Sequence, residues 1–137
     1  MLNIRDIDHV VLRVRDLPRA LAFYRDVLGC PLEREQPAIG LWQLRAGRSL
    51  IDLVPIDGEL GRAGGAAPGP EGRNVDHVCL RVEPWDEAAI RAHLAEHNID
   101  PAPSRSRFGA DGAGPSFYLT DPDGNTIELK GGADRSV

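Results

Sequence analysis

"DHVVLRV" (residues 8–14) and "DHVCLRV" (residues 76–82) spell one segment twice, 68 residues apart, with six of seven letters shared. Apolar and mixed residues alternate in both. Val10, Leu12 and Val14 fall on one face, matched by Val78, Leu80 and Val82. His9, Val11 and Arg13 fall on the other, matched by His77, Cys79 and Arg81. A period of two marks a strand with one buried face. Each copy therefore places a histidine near the start of a strand, on its more polar side.

The repeat extends outward from these strands. After the first, Asp16 and Pro18 signal a helix start, and Leu17, Leu21, Tyr24 and Leu28 recur at helical spacing before Gly29 and Pro31. After the second, Pro84, Asp86 and Glu87 open a helix. Ile90, Leu94 and His97 share a face there, and Asn98 is the C-terminal cap. Further on, "LWQLRAGRSLIDL" (residues 41–53) lines up without a gap on "FYLTDPDGNTIEL" (residues 117–129). Each stretch reads as strand, Gly-containing turn and strand, and "DPDGN" is a strong turn signal. The second strand of each carries an acid inside an apolar run, Asp52 in "LIDL" and Glu128 in "TIEL".

Each half is thus a β-α-β-β unit with room for one more strand, at residues 31–36 and 102–107. The expected organisation is a single α+β domain over residues 1–137. Module one spans 4–54, a Gly- and Pro-rich connector or lid spans 55–74, module two spans 75–130, and a frayed tail spans 131–137.

A chain of 137 residues suits one domain with a real core. A net charge of −5 with scattered arginines excludes a nucleic-acid footprint. Two cysteines, Cys30 and Cys79, are too few for a disulfide framework. No apolar run reaches the length of a membrane span. "MLNIRDID" (residues 1–8) reads as neither a signal peptide nor a lipidation site, so a reducing cytoplasm is expected.

The duplication supplies one histidine and one acid per half. Two pseudo-symmetric halves would point His9, Asp52, His77 and Glu128 into one cleft. Imidazole and carboxylate donors suit Zn, Fe, Mn, Co or Ni, and an unpaired carboxylate inside an apolar strand is otherwise costly. "HLAEH" (residues 93–97) fits a short zinc-protease pattern, but the repeat makes it a packing or solvated helix face. Cys79 shares the face of His77 and reads as a small core residue or a pocket lining.

"HVVLRVRDLPRALAFYRDVLG" (residues 9–29) and "SFYLTDPDGNTIEL" (residues 116–129) resemble the vicinal oxygen chelate superfamily. That superfamily holds glyoxalases, extradiol dioxygenases, fosfomycin-resistance enzymes and bleomycin-binding proteins. "RFGADGAGPSFYLTDPDGNTIEL" (residues 107–129) is similar to its glyoxalase-domain virulence-protein branch. The resemblance implies two tandem βαβββ modules forming an incomplete barrel around a divalent metal that chelates two adjacent substrate oxygens. It implies that His9, His77 and Glu128 are metal ligands. Asp52 matches a fourth, usually glutamate, ligand and is one methylene shorter. Arg13 matches an arginine that grips a substrate carboxylate, and Arg81 is its counterpart in the second copy. Tyr118 matches an active-site tyrosine of the dioxygenases.

The expected activity is that of a metal-dependent, glyoxalase-like lyase or isomerase acting on a small molecule such as a thiol conjugate. Asp52, Glu128 and Tyr118 are its catalytic groups, and Zn, Ni, Co, Mn or Fe its metal. A non-haem Fe(II) extradiol-type dioxygenase and a non-catalytic binding or resistance protein are the rival expectations. A homodimer is expected, His9 and Asp52 of one chain meeting His77 and Glu128 of the other.

Overall fold

The repeated strands form where the alternation places them. The computed structural model describes residues 1–133; the frayed tail expected from the sequence lies in part at 134–137, outside the described residues. Strand β1 (His9–Val14) leads into helix α1 (Leu17–Leu21), and strands β2 (Leu32–Gln36), β3 (Leu41–Ala46) and β4 (Ser49–Pro55) follow. A short helix, α2 (Glu59–Arg62), precedes the second copy: β5 (His77–Arg81), α3 (Glu87–Glu96), β6 (Arg105–Gly109), β7 (Gly112–Thr120) and β8 (Thr126–Lys130).

The chain divides into two compact units, one covering Met1–Asn74 and one beginning at Val75. Their topologies are the same. The first sheet has the order β1-β4-β3-β2 and the second β5-β8-β7-β6. In each, the repeated strand runs parallel to the acid-bearing strand, and the remaining pairs are antiparallel. The weak strand candidates at 31–36 and 102–107 are real edge strands, the second shifted to Arg105–Gly109.

Both helices begin as their sequences suggest. Asp16 accepts from the backbone of Arg19 at 3.1 Å, and Asp86 does the same for Ala89 at 3.1 Å, filling orphan donors of the first turn. The first helix departs from expectation. Residues Ala22–Val27 widen into a π-type turn, closed by the Leu28 amide on the Phe23 carbonyl at 2.9 Å. The wider turn seats two consecutive aromatics, Phe23 and Tyr24, edge to face in the core, with ring centres 5.0 Å apart. The second helix ends at Asn98, which takes a left-handed φ of 60°. His97 lies at this end and is exposed rather than on the packed face with Leu94.

One face of each sheet is core. In the first unit Leu12, Val14, Leu44, Ile51 and Leu53 pack with Ala20, Phe23 and Tyr24, all buried. In the second, Phe117, Leu119, Ile127, Leu129 and Leu94 are buried. Each such side chain contributes roughly 1.5–3 kcal/mol. A surface ion pair such as Arg25–Asp26 contributes roughly 0–1 kcal/mol, so the apolar faces hold the fold. The opposite faces are left to the polar residues of the repeat.

Residues 55–74 are not plain connector. They belong to the first unit and are strapped to it. Arg13 Nη1 donates to the Gly65 carbonyl at 3.1 Å, and Arg15 Nη2 donates to that of Pro68 at 2.6 Å. Asn74 pairs with both backbone groups of Arg13. A Cβ at Gly61 would stand 1.8 Å from the Pro55 carbonyl oxygen, so only glycine fits there.

Candidate metal centre

Within each unit the parallel pairing brings a histidine to a carboxylate. His9 enters β1 beside β4, and its Nε2 lies 4.0 Å from Asp52 Oδ2. His77 enters β5 beside β8, and its Nε2 lies 3.3 Å from Glu128 Oε1. Both acids are nearly sealed from solvent, Asp52 at 3% and Glu128 at 5% exposure.

The aspartate ahead of each histidine explains the first letter of the repeat. Asp8 Oδ1 lies 2.6 Å from Nδ1 of His9, and Asp76 Oδ1 lies 2.6 Å from Nδ1 of His77. A carboxylate there makes Nδ1 the protonated nitrogen and leaves the Nε2 lone pair facing the buried acid. Two acceptors so placed call for a proton or a metal cation between them. In the first unit the hydrogen bond that His9 donates to Asp8, then the charge of Asp52, favours the protonated ring and raises the His9 pKa above its ordinary 6.5.

Each acid has a cross-strand neighbour, and the two differ. Gln43 stands opposite Asp52 and donates through Nε2 to both carboxylate oxygens, at 3.2 Å each. Tyr118 stands opposite Glu128, its ring edge-on to His77 with centres 5.7 Å apart. The Arg107 guanidinium lies over the Tyr118 ring, 4.4 Å from its centre. Gln43 therefore corresponds to Tyr118. The gapless alignment of the two hairpins is wrong by one residue, because the "DPDGN" turn is one residue longer than its counterpart. Asp121 builds that turn, accepting from the backbones of Asp123 and Asn125.

Cys79 lies level with Glu128 in the sheet. Desolvation first, and the charge of Glu128 second, push its thiol up to about 11, so it is a neutral neighbour of the acid at pH 7. The two arginines expected to hold substrate are both engaged. Arg13 grips the strap at Gly65, and Arg81 pairs with Glu83 and Asp111. On α3, His93 and His97 touch edge to face, with ring centres 5.1 Å apart and both exposed.

Among the described residues no three His, Cys, Asp or Glu side chains gather into one metal-binding group. The donors come instead as two pairs, one per unit. Their chemistry fits a divalent metal: imidazole nitrogens with fixed tautomers beside buried carboxylates. Asp8, Asp76, Gln43 and Arg107 were not identified from the sequence as parts of the site. The aspartates were legible in the repeat itself; Gln43 needed the turn lengths to be compared.

A family profile described as the Glyoxalase/Bleomycin resistance protein/Dioxygenase superfamily matches residues 6–129. The chain is 28% identical over 128 residues to virulence protein STM3117 of Salmonella typhimurium, covering 90% of this chain and 81% of that one. The crystal structure of that protein superposes with a TM-score of 0.79 at 25% identity, over 96% of this chain and 100% of the other. Bovine mitochondrial methylmalonyl-CoA epimerase is 27% identical over 93% of this chain and 75% of its own. Lactoylglutathione lyase from Agrobacterium tumefaciens superposes with a TM-score of 0.64 at 25% identity, over 93% of each chain. The two βαβββ-like units are thus a glyoxalase-like fold. No helix among the described residues is long and apolar enough to cross a membrane.

Proposed function

Because the chain belongs to the Glyoxalase/Bleomycin resistance protein/Dioxygenase superfamily, we propose that it is a divalent-metal-dependent enzyme of lyase or isomerase type. Its reaction moves a proton at the carbon beside a carbonyl, in a small substrate with two adjacent oxygens. One observation carries this reading: a tautomer-fixed histidine beside a buried carboxylate, at the same sheet position in both units. The relatives' names support it. An epimerase of methylmalonyl-CoA and a lyase of lactoylglutathione both concern a carbon next to a thioester carbonyl, so a thiol conjugate is the proposed substrate class.

His9, His77 and Glu128 would hold the metal, with Asp52 as fourth ligand or general base. Bound there, a divalent ion supplies Lewis acidity toward the two substrate oxygens. Asp8 and Asp76 keep each Nε2 free as donor. Asp52 takes the proton at its carboxylate and returns it, and the Gln43 amide keeps that carboxylate aimed. The Tyr118 hydroxyl donates to a substrate oxygen. Two free cysteines suit the proposed cytoplasmic setting.

A second reading has its own support. With both oxygens of Asp52 held by Gln43, His9, His77 and Glu128 remain as a two-histidine, one-carboxylate set of the kind non-haem Fe(II) dioxygenases use. Elemental analysis of protein purified without chelators tests both. One divalent ion per chain is expected, and His77→Ala should bind it roughly 10- to 100-fold more weakly or worse. Equal retention by that variant overturns the ligand assignment. His93→Ala and His97→Ala should keep the metal. Iron with oxygen uptake selects the dioxygenase, and bound metal without turnover selects a binding protein.

A further inference from the structure

The sheet face that carries His77 and Glu128 continues into a cationic corner that no step above uses. Lys130 follows Glu128 by two residues on β8, so it points to the same face, level with Arg81 and Ser116. Arg107 joins from β6, opposite Gly114. Lys130 is 5% exposed. Among the described residues its ammonium has one hydrogen-bond acceptor, the Gly131 carbonyl at 3.2 Å, and no carboxylate in ion-pair range. An ammonium has three donors, and lysine is almost never buried unless paired, because removing an unpaired charge from water is costly.

The chain makes room for this lysine. A Cβ at Gly109 would stand 2.9 Å from its Cε; one at Gly114 would first meet the Gly132 carbonyl oxygen at 2.1 Å and then the Lys130 Nζ at 3.0 Å. The stem thus passes over Gly109, and its ammonium ends beside Gly114. Arg107 is half-satisfied in the same corner. Its hydrogen bonds, to the Ser116 carbonyl at 2.7 Å and hydroxyl at 2.8 Å, run from Nη1 alone. Nε and Nη2 remain available while the plane rests on Tyr118. Arg81, by contrast, already has two carboxylate partners.

We propose that Lys130 and Arg107 form an anion-binding subsite that takes a carboxylate or phosphate group carried by the substrate away from its reacting carbon. Assigning that anion to the substrate rests on the proton-transfer reading above; the anion site itself does not.

Calorimetric titration of the full chain with malonate and, separately, with methyl phosphate tests it and distinguishes the two anion types. At least one is expected to bind, and Lys130→Met should weaken that binding about tenfold or more. Without ligand, Lys130→Met should unfold at the same or a higher temperature, since a well-packed apolar group replaces a charge that has no carboxylate partner among the described residues. Arg107→Gln should weaken the same anion and serves as the second variant should Lys130→Met not be recovered folded. Titrating chelator-treated protein should give the same methyl phosphate or malonate binding at this corner, so loss of the metal reading and loss of the subsite give different results. The subsite is overturned if the parent binds neither anion, or if the Lys130 and Arg107 variants bind as tightly as the parent. A lower unfolding temperature of Lys130→Met with anion binding retained makes Lys130 a structural cation and also overturns it.

Discussion

Gln43 donates through one amide nitrogen to both carboxylate oxygens of Asp52, 3.2 Å to each. Asp52 is 3% exposed, and these are its direct side-chain hydrogen bonds across the sheet. Replacing Gln43 with Met keeps the volume and removes the donor. The variant should lose about 1–3 kcal/mol of stability in the presence of chelator, because a buried acceptor loses its partner. Urea unfolding measures this. An unchanged midpoint would mean that Asp52 does not depend on Gln43.

Asp52 also decides between the two proposed chemistries. Asp52→Ala should abolish proton exchange at the carbon beside the carbonyl, followed by deuterium uptake. Asp52→Glu, with a longer reach, should keep or raise it. A fully active Asp52→Ala enzyme would move the assignment to the two-histidine, one-carboxylate set.

His9 should titrate above 6.5 in metal-free protein, chiefly through Asp8 and secondly through Asp52. The sign follows from the raised value. The stabilisation is fully present below pH 6.5 and is lost as the pH rises through the folded-state value. Imidazole NMR resonances followed against pH report it directly. Asp8→Asn should bring the midpoint back toward 6.5 and Asp52→Asn should lower it less. An unshifted midpoint in the parent would remove the Asp8 contact from the account.

Assembly has a separate test. We propose a homodimer whose metal takes His9 and Asp52 from one chain and His77 and Glu128 from the other. Mixing inactive His9→Ala and His77→Ala proteins, after verified subunit exchange, should restore part of the activity through one intact site per heterodimer. No recovery would mean that each chain completes its own site.

Much of the fold was legible before any coordinates. The alternation of residues 8–14 and 76–82 identified the paired strands and their polar faces. Asp16 and Asp86 marked the helix starts. These features are local: a period of two, a capping side chain and a turn each act within a few residues of chain. The widened turn at Ala22–Val27 was not legible, since it answers to where two aromatics must pack rather than to helical spacing.

The candidate site divides in the same way. The sequence by itself determined that each copy owns one histidine, one acid and an aspartate ahead of the histidine. Only the tertiary structure decided who faces whom. A one-residue difference in hairpin length set Gln43 against Asp52 and Tyr118 against Glu128. The strap at Gly65 took up Arg13, and Gly109, far from Lys130 in sequence, lies under its stem. Side-chain partners across strands depend on register. Register is settled by the summed packing of the whole apolar face, a quantity no short stretch of sequence contains.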